Sequence, residues 1–137
     1  MKNKKKNYIV SFPAHCSEET SDMMHDAVCW FLARYNMQDT GHRAGRVHRE
    51  TVKITLNAVE FNTHKCWGQC YEWDNEHADY VIDVAIDQSL RDMLATLFHE
   101  CVHLWQWERG HWKGEGEREA TRLQYELADE YWRLGNV

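Results

Sequence analysis

The sequence predicts one α+β domain. Stretches with the 3.6-residue periodicity of helices lie near the start and over the last third of the chain, and stretches of alternating apolar and polar residues lie between them. The 137 residues are 43% hydrophobic and 12% aromatic, enough for one core. One Pro and seven Gly leave no room for a long linker, so we expect a single domain over residues 1–137.

The amino end is a short basic tail. Four of the first six residues are Lys, and we expect residues 1–7 to be flexible and solvated. The apolar stretch 8–10 is too short for a secretory signal, and no apolar run reaches the length of a membrane span, so we expect a cytoplasmic protein without a membrane partner. The net charge of −6 argues against a nucleic-acid partner.

The first helix is predicted over residues 18–35. Ser17 can cap it, and Glu18 and Glu19 suit the positive end of its dipole. Its apolar residues recur at helical spacing: Met24, Val28, Phe31 and Tyr35. We interpret this segment as a core helix followed by a polar loop over residues 39–45.

The middle of the chain predicts strands. Residues 52–58 and 80–86 each alternate between apolar and other side chains, which is the period of a strand. A shorter candidate strand covers residues 70–73, and a turn follows at residues 74–76. We expect a small, mostly antiparallel sheet of three to four strands.

Two helices are predicted in the last third. Ser89 and Asp92 resemble a capping box, and the helix they open ends near Gly110. Its apolar stripe consists of Leu90, Leu94, Leu97, Phe98, Cys101, Leu104 and Trp105. The final helix covers residues 115–134, and its apolar face consists of Ala120, Leu123, Leu127 and Tyr131.

His99 and His103 form a candidate metal site on the first of these two helices. Residues four apart lie one turn apart on the same helix face, so both imidazoles can reach one ion. Glu100 completes an HExxH spacing, in which the Glu is the general base for a metal-activated water. The alternative is that both His are solvated or packed residues of an amphipathic helix.

A catalytic zinc requires a third protein ligand. The downstream candidates are His111, Glu115, Glu117 and Glu119. Glu117 lies one turn before Ala120, on the face that should turn toward the core, whereas Glu119 is offset from it by two residues. We therefore choose Glu117 first and Glu119 second; the alternative for either is a charge that stabilises a helix start.

These residues resemble the zincin metallopeptidases over residues 52–134. Segment 99–103 (HECVH) matches the zincin motif, and segment 117–120 (EREA) is similar to the ExxA segment of gluzincins, whose first Glu is the third zinc ligand. Metzincins require Gly and His where this chain has Gln106 and Arg109, so that pattern is rejected. Gluzincins often place Asp where this chain has Thr121, which could still hold a ligand His.

The resemblance extends to smaller relatives and implies a mode of substrate binding. Segment 97–106 is similar to SprT-like and phage-type peptidases, and the chain length resembles that of minigluzincins. The resemblance implies a zincin-like fold with one Zn²⁺ per chain. It also implies that the strand over residues 80–86 edges the cleft and pairs with an extended peptide or protein substrate.

Three functions follow from these patterns. The first is a zinc-dependent peptidase in which Glu100 activates water. The second is a non-catalytic zinc-binding protein of zincin fold, acting as a regulatory or interaction protein. The third is a carboxylate-bridged di-iron protein, because Glu108 and His111 form a second ExxH spacing after that of Glu100 and His103.

Other candidate groups stay open at this stage. The five Cys predict free thiols, with Cys29 and Cys101 in the core; the alternative for Cys66 and Cys70 is a second zinc site. Residues that could stabilise an oxyanion are Tyr125, Tyr131, His111 and Arg122. Trp105, Trp107 and Trp112 are interpreted as packing, with a substrate pocket as the alternative.

Overall fold

A computed structural model describes residues 7–11, 16–37, 51–61, 66–72, 79–109 and 116–134. Its elements are β1 (Asn7–Ser11), α1 (Glu18–Arg34), β2 (Thr51–Val59), β3 (Gly68–Glu72), β4 (Tyr80–Ala85), α2 (Leu90–Arg109) and α3 (Glu117–Arg133). The predicted α+β class is confirmed. The predicted loop at 39–45, the turn at 74–76 and residues 1–6 of the tail lie outside the described residues.

Helix α1 confirms the helix predicted over residues 18–35. The Ser17 hydroxyl accepts a hydrogen bond of 3.1 Å from the Thr20 backbone N–H, which is the predicted N-cap. The residues that α1 buries recur at the predicted spacing and include Met24, Ala27, Val28 and Phe31. The helix therefore packs one apolar face into the core, as its periodicity requires.

The sheet has the strand order β1-β2-β4-β3. β1 pairs in parallel with β2 and β2 in parallel with β4, whereas only β3 and β4 are antiparallel. The prediction of a mostly antiparallel sheet is therefore wrong. Parallel strands need a crossover connection, and α1 lies in the connection from β1 to β2.

Strand β1 is absent from the sequence prediction, which wrongly assigns Asn7 to the basic tail. The strand has only five residues and lies at the edge of the sheet, where every second side chain is exposed. So short an alternation directly after a run of Lys gives little local signal. Its register with β2, in which Tyr8 opposes Val52, is set by the tertiary fold.

Strand β4 lies inside the sheet, so the expectation that residues 80–86 edge the cleft is wrong. All six residues of Tyr80–Ala85 are buried, and the strand pairs with β2 on one side and β3 on the other. Asp83 tolerates burial because the Asn57 side-chain amide donates a hydrogen bond of 2.9 Å to its carboxylate. β3 is the outer strand at this end of the sheet.

The core lies between the sheet and the helices. α2 packs against α1, α3, β3 and β4, which places it at the centre of the helical layer. Trp30, Phe98 and Tyr131 join three helices through edge-to-face ring contacts with centroids 5.3–5.7 Å apart. In the described parts of the chain, no helix combines the length and apolar character needed to cross a membrane.

Candidate metal centre

Helix α2 presents His99 and His103 on one face. The two ring centroids are 5.0 Å apart, and the side chains are 15% and 10% exposed. Flanking residues of the helix, including Phe98, Cys101 and Val102, are fully buried and fix its rotation about its axis. The apolar stripe thus directs both imidazoles toward α3.

Glu117, the first residue of α3, meets both imidazoles. Its Oε1 atom lies 3.2 Å from His99 Nε2 and 2.6 Å from His103 Nε2. Burial by itself would raise the pKa of the Glu117 carboxyl, but the hydrogen bonds to the two His hold it below its usual value. One ligand atom from each of the three residues lies within 4.8 Å of the others.

Glu119 does not join this cluster. Its Oε1 atom instead accepts a hydrogen bond of 3.0 Å from the Gln106 side-chain amide and lies 3.8 Å from Arg109 Nη2. Two residues along a helix correspond to about 200° of rotation, so Glu117 and Glu119 point in different directions. Of the two acidic candidates, the structure brings only Glu117 to the histidines.

Two glutamines hold the far side of the imidazoles. His99 Nδ1 lies 2.7 Å from Gln124 Oε1, and His103 Nδ1 lies 2.9 Å from Gln106 Oε1. An amide oxygen can only accept, so each Nδ1 carries a proton, and in the neutral form of each imidazole it is Nε2 that offers a lone pair. Sequence reasoning missed both roles. Thr121, which it considered for this purpose, lies at an exposed position of α3.

This donor set fits a divalent cation. Two imidazole lone pairs and a carboxylate oxygen are all acceptors, and they converge on one place. A cation among them satisfies all three at once, and two His nitrogens with one Glu oxygen form a known zinc donor set that leaves a fourth position open. The metal itself stays a prediction.

Glu100 lies beside the histidines and is buried, with 6% of the residue exposed. Burial raises the pKa of its carboxyl to about 8, and the nearby carboxylates of Glu117 and Asp83 add to the rise. A positive charge at the histidine cluster would lower this pKa by its attraction to the carboxylate.

Gly68 brings strand β3 close to Glu100. A Cβ atom at Gly68 would lie 2.4 Å from Thr96 Cγ2 and 2.9 Å from Glu100 Oε2. Only glycine therefore allows β3 to lie this close to α2. The sequence signal, a Gly at the start of a strand, is visible but not specific.

A cleft opens between β3, α2 and the start of α3. One part has a volume of about 390 Å³ and is lined by Gly68, Gln69, Cys70, His99, Glu100, His103, Trp107 and Glu117. A second part of about 250 Å³ shares Gly68, His99 and Glu100 with it. Glu100 and the histidines are thus accessible from the edge of the sheet.

The described candidates for oxyanion stabilisation lie outside this cleft. The Tyr125 hydroxyl donates to Asp92 at 2.6 Å, and the Tyr131 hydroxyl donates to Asp26 at 2.5 Å. Arg122 occupies an exposed position of α3, and none of these three lines the cleft. His111 lies outside the described residues.

Glu108, the second acidic residue of the di-iron hypothesis, is directed away from the cleft. It is buried, and its carboxylate accepts hydrogen bonds from the Tyr80 hydroxyl at 2.6 Å and the Tyr8 hydroxyl at 3.2 Å. Glu100 and Glu108 also belong to one helix, whereas di-iron bundles use separate helices. The structure therefore argues against the di-iron hypothesis.

The cysteines give a mixed outcome. All five are free thiols; Cys101 is buried as predicted, but Cys29 is exposed on α1, so its assignment to the core is wrong. Burial strongly raises the pKa of the Cys101 thiol. Cys66 Sγ lies 4.0 Å from Gln69 Oε1, and no metal-binding group within the described ranges includes Cys66 or Cys70.

The tryptophans serve both packing and the cleft. Trp105 packs edge-to-face against Tyr35, as predicted, and lies under the Arg109 guanidinium at 3.7 Å. Trp107 stacks on Tyr80 and on the ring of His103 and lines the cleft. Trp112 lies outside the described residues.

Three comparisons with known proteins give no relative. No protein-family model matches the sequence, and no curated protein and no solved structure matches the chain. The likeness to zincins therefore depends on the motif residues alone, and a functional assignment has to be argued from the geometry of the cleft.

Proposed function

We propose that this protein is a zinc-dependent peptidase of the HExxH type. The observation that carries the proposal is the convergence of His99, His103 and Glu117 within 4.8 Å, with Glu100 in the same cleft. These residues come from two helices, and the carboxylate is 14 positions from the nearer imidazole. The same four residues follow from the HExxH and ExxA spacings in the sequence.

The three metal-facing side chains are arranged for Zn²⁺. His99 and His103 would each offer Nε2 to the ion, and Glu117 would offer a carboxylate oxygen; all three side chains line the cleft. The chemistry that a bound Zn²⁺ supplies is Lewis acidity, which brings the pKa of a coordinated water to about 7.

Glu100 is the general base and then the general acid. Its carboxylate accepts a proton from water as the water oxygen adds to the peptide carbonyl carbon. When the C–N bond breaks, Glu100 returns that proton to the leaving nitrogen. Its position in the cleft beside His99 and His103 suits this cycle.

The substrate is a peptide or protein segment in extended conformation. β3 pairs only with β4 inside the four-stranded sheet, and its residues Gly68, Gln69 and Cys70 line the cleft beside Glu100. An extended segment can therefore hydrogen-bond to the outer side of β3 and place a carbonyl near Glu100. This moves the expected substrate strand from β4 to β3.

The test compares the parent with Glu100→Gln and with the matched control Glu126→Gln, an exposed Glu on α3 away from the cleft. Zinc is counted by elemental mass spectrometry, and cleavage is followed on casein and on denatured protein. We expect one zinc per chain in all three proteins and an approximately 10²- to 10⁴-fold loss of cleavage in Glu100→Gln alone.

Two results would count against the proposal. Cleavage by Glu100→Gln at the parent rate would overturn the role of this residue. Zinc binding by the parent without cleavage of any substrate would instead favour a non-catalytic zinc-binding regulatory protein with the same centre.

A further inference from the structure

We propose that Gln106 is a positioning residue that sets the location of the third metal ligand, Glu117, as well as the orientation of His103. The inference rests on the proposed metal centre but not on peptide cleavage. Gln106 is buried, with 1% of its surface exposed, and lies on α2 three residues after His103. Its amide makes three hydrogen bonds. One goes to His103, and the other two go to Gly116, the N-cap of α3, and to Glu119 in the first turn of α3.

The orientation of the Gln106 amide is fixed by its surroundings. Its Nε2 donates to the Gly116 carbonyl at 2.9 Å and to the Glu119 carboxylate at 3.0 Å, and both of these groups can only accept. The amide oxygen must therefore point to His103 Nδ1, at 2.9 Å. One side chain thus holds His103 in the tautomer that leaves Nε2 as the ligand atom.

The same amide fixes the start of α3 on both sides of Glu117. Gly116 immediately precedes the ligand and Glu119 lies two residues after it, and both contact Gln106. Gly116 is the N-cap of α3 but makes no side-chain cap bond, so the helix start is held from α2. The ligand carboxylate therefore takes its position from Gln106.

Gly116 is packed against that amide with no space for a side chain. Its φ of +78° lies in the left-handed region, and a Cβ there would lie 2.1 Å from Gln106 Oε1 and 2.5 Å from Gln106 Cδ. This contact is a second observation that α3 begins where Gln106 allows it. A longer side chain at 116 would displace the amide and Glu117 together.

Gln124 is the natural control, because it orients a histidine but does not position Glu117. Its Oε1 accepts from His99 Nδ1 at 2.7 Å, as Gln106 Oε1 does from His103. Gln124 lies two helical turns beyond Glu117, and its hydrogen bond goes to His99, whereas Gly116 and Glu119 on either side of Glu117 bond to Gln106. Removing either glutamine should weaken zinc binding by the histidine that it orients. Only the loss of Gln106 should also weaken zinc binding by displacing Glu117.

The experiment is a pair of double-variant cycles that measure zinc affinity by competition with a chelator. Gln106→Met and Gln124→Met keep side-chain volume and remove the amide, and each is combined with Glu117→Ala. We expect each glutamine variant to weaken zinc about 10- to 100-fold. In the Glu117→Ala background we expect the loss from Gln106→Met to shrink to about threefold, whereas the loss from Gln124→Met stays unchanged.

A spectroscopic readout separates positioning from stability. With Co²⁺ in place of zinc, Gln106→Met should change the visible d–d bands toward those of Glu117→Ala, and Gln124→Met should not. A fully additive cycle for Gln106, with unchanged bands, would overturn the inference. Loss of zinc binding by the parent itself would overturn the metal centre and this inference together, whereas a parent that binds zinc but cleaves nothing would affect only the peptidase proposal.

Discussion

Helix α2 buries two glutamates, eight residues apart, in opposite electrostatic settings. Glu108 accepts hydrogen bonds from two tyrosine hydroxyls that come from β1 and β4. Glu100 is nearly as buried, and burial together with repulsion from the carboxylates of Glu117 and Asp83 raises its pKa to about 8. The cost of burying a carboxylate is therefore offset by hydrogen bonds at Glu108, whereas at Glu100 it is increased by neighbouring carboxylates.

The difference separates the structural role of Glu108 from the catalytic role that we propose for Glu100. A buried carboxylate with two hydroxyl donors stabilises the fold, whereas one facing other carboxylates costs stability unless a cation is present. Such destabilised groups are typical of functional sites. Glu108 thus joins α2 to the sheet, whereas Glu100 lies in the cleft where we propose that the reaction takes place.

The largest expected effect comes from removing a metal-facing residue at the Glu100 end. His103→Ala should weaken zinc binding severely and reduce cleavage to the uncatalysed background, because a catalytic zinc uses three protein ligands and this variant keeps two. Chelator titration and a cleavage assay measure both quantities. His25→Ala on α1, outside the cleft, is the control, and parent-like zinc affinity in His103→Ala would contradict the proposed centre.

A smaller effect is expected where β3 meets Glu100. In Gly68→Ala the added Cβ would meet Thr96 Cγ2 at 2.4 Å and the Glu100 carboxylate at 2.9 Å, so β3 must move away from α2. Displacement of the substrate strand by about 1 Å should cost up to about 10²-fold in kcat/KM. Zinc content should stay at the parent value; if cleavage stays there as well, substrate does not bind along β3.

The Glu108 end should respond in stability and not in chemistry. Glu108→Gln weakens its bonds to Tyr8 and Tyr80 inside the core, and we expect a loss of about 1–3 kcal/mol in the free energy of unfolding. Urea denaturation measures this loss. Zinc affinity and the cleavage rate of the folded protein should not change, so a specific loss of activity would break the contrast between the two ends.

The smallest expected effect concerns the sign of the change in stability when Glu100 is replaced. Metal-free Glu100→Gln should be at least as stable as the metal-free parent, because the substitution removes a buried carboxylate that faces Glu117 and Asp83. Urea denaturation in the presence of a chelator compares the two proteins. A loss of stability as large as that of Glu108→Gln would mean that Glu100 is a structural residue too.

Local patterns in the sequence predict the helices, three of the four described strands and the residues of the proposed metal centre, but not how the strands pair. The helical spacing of His99 and His103 and the position of Glu117 on α3 depend on periodicity within single segments. The strand order, the parallel pairing and the edge position of β3 depend on contacts between distant segments, and so does β1.

The glutamines illustrate the same limit inside the site. Gln106 and Gln124 resemble ordinary polar helix residues in the sequence, and they acquire a role only because α2 and α3 pack with these side chains facing the histidines. Asp83 likewise occupies a polar position in an alternating strand pattern, but it is buried next to Asn57. Such partners follow from tertiary packing, which periodicity within one segment does not contain.

The most direct test of the central claim is a crystal structure of the zinc-loaded protein with anomalous diffraction measured at the zinc edge. The account predicts one peak per chain, coordinated by His99 Nε2, His103 Nε2 and a Glu117 carboxylate oxygen at about 2.0–2.2 Å, with Glu100 beside it but not bound to it. A peak coordinated by other residues, or no peak at this cluster, would contradict it.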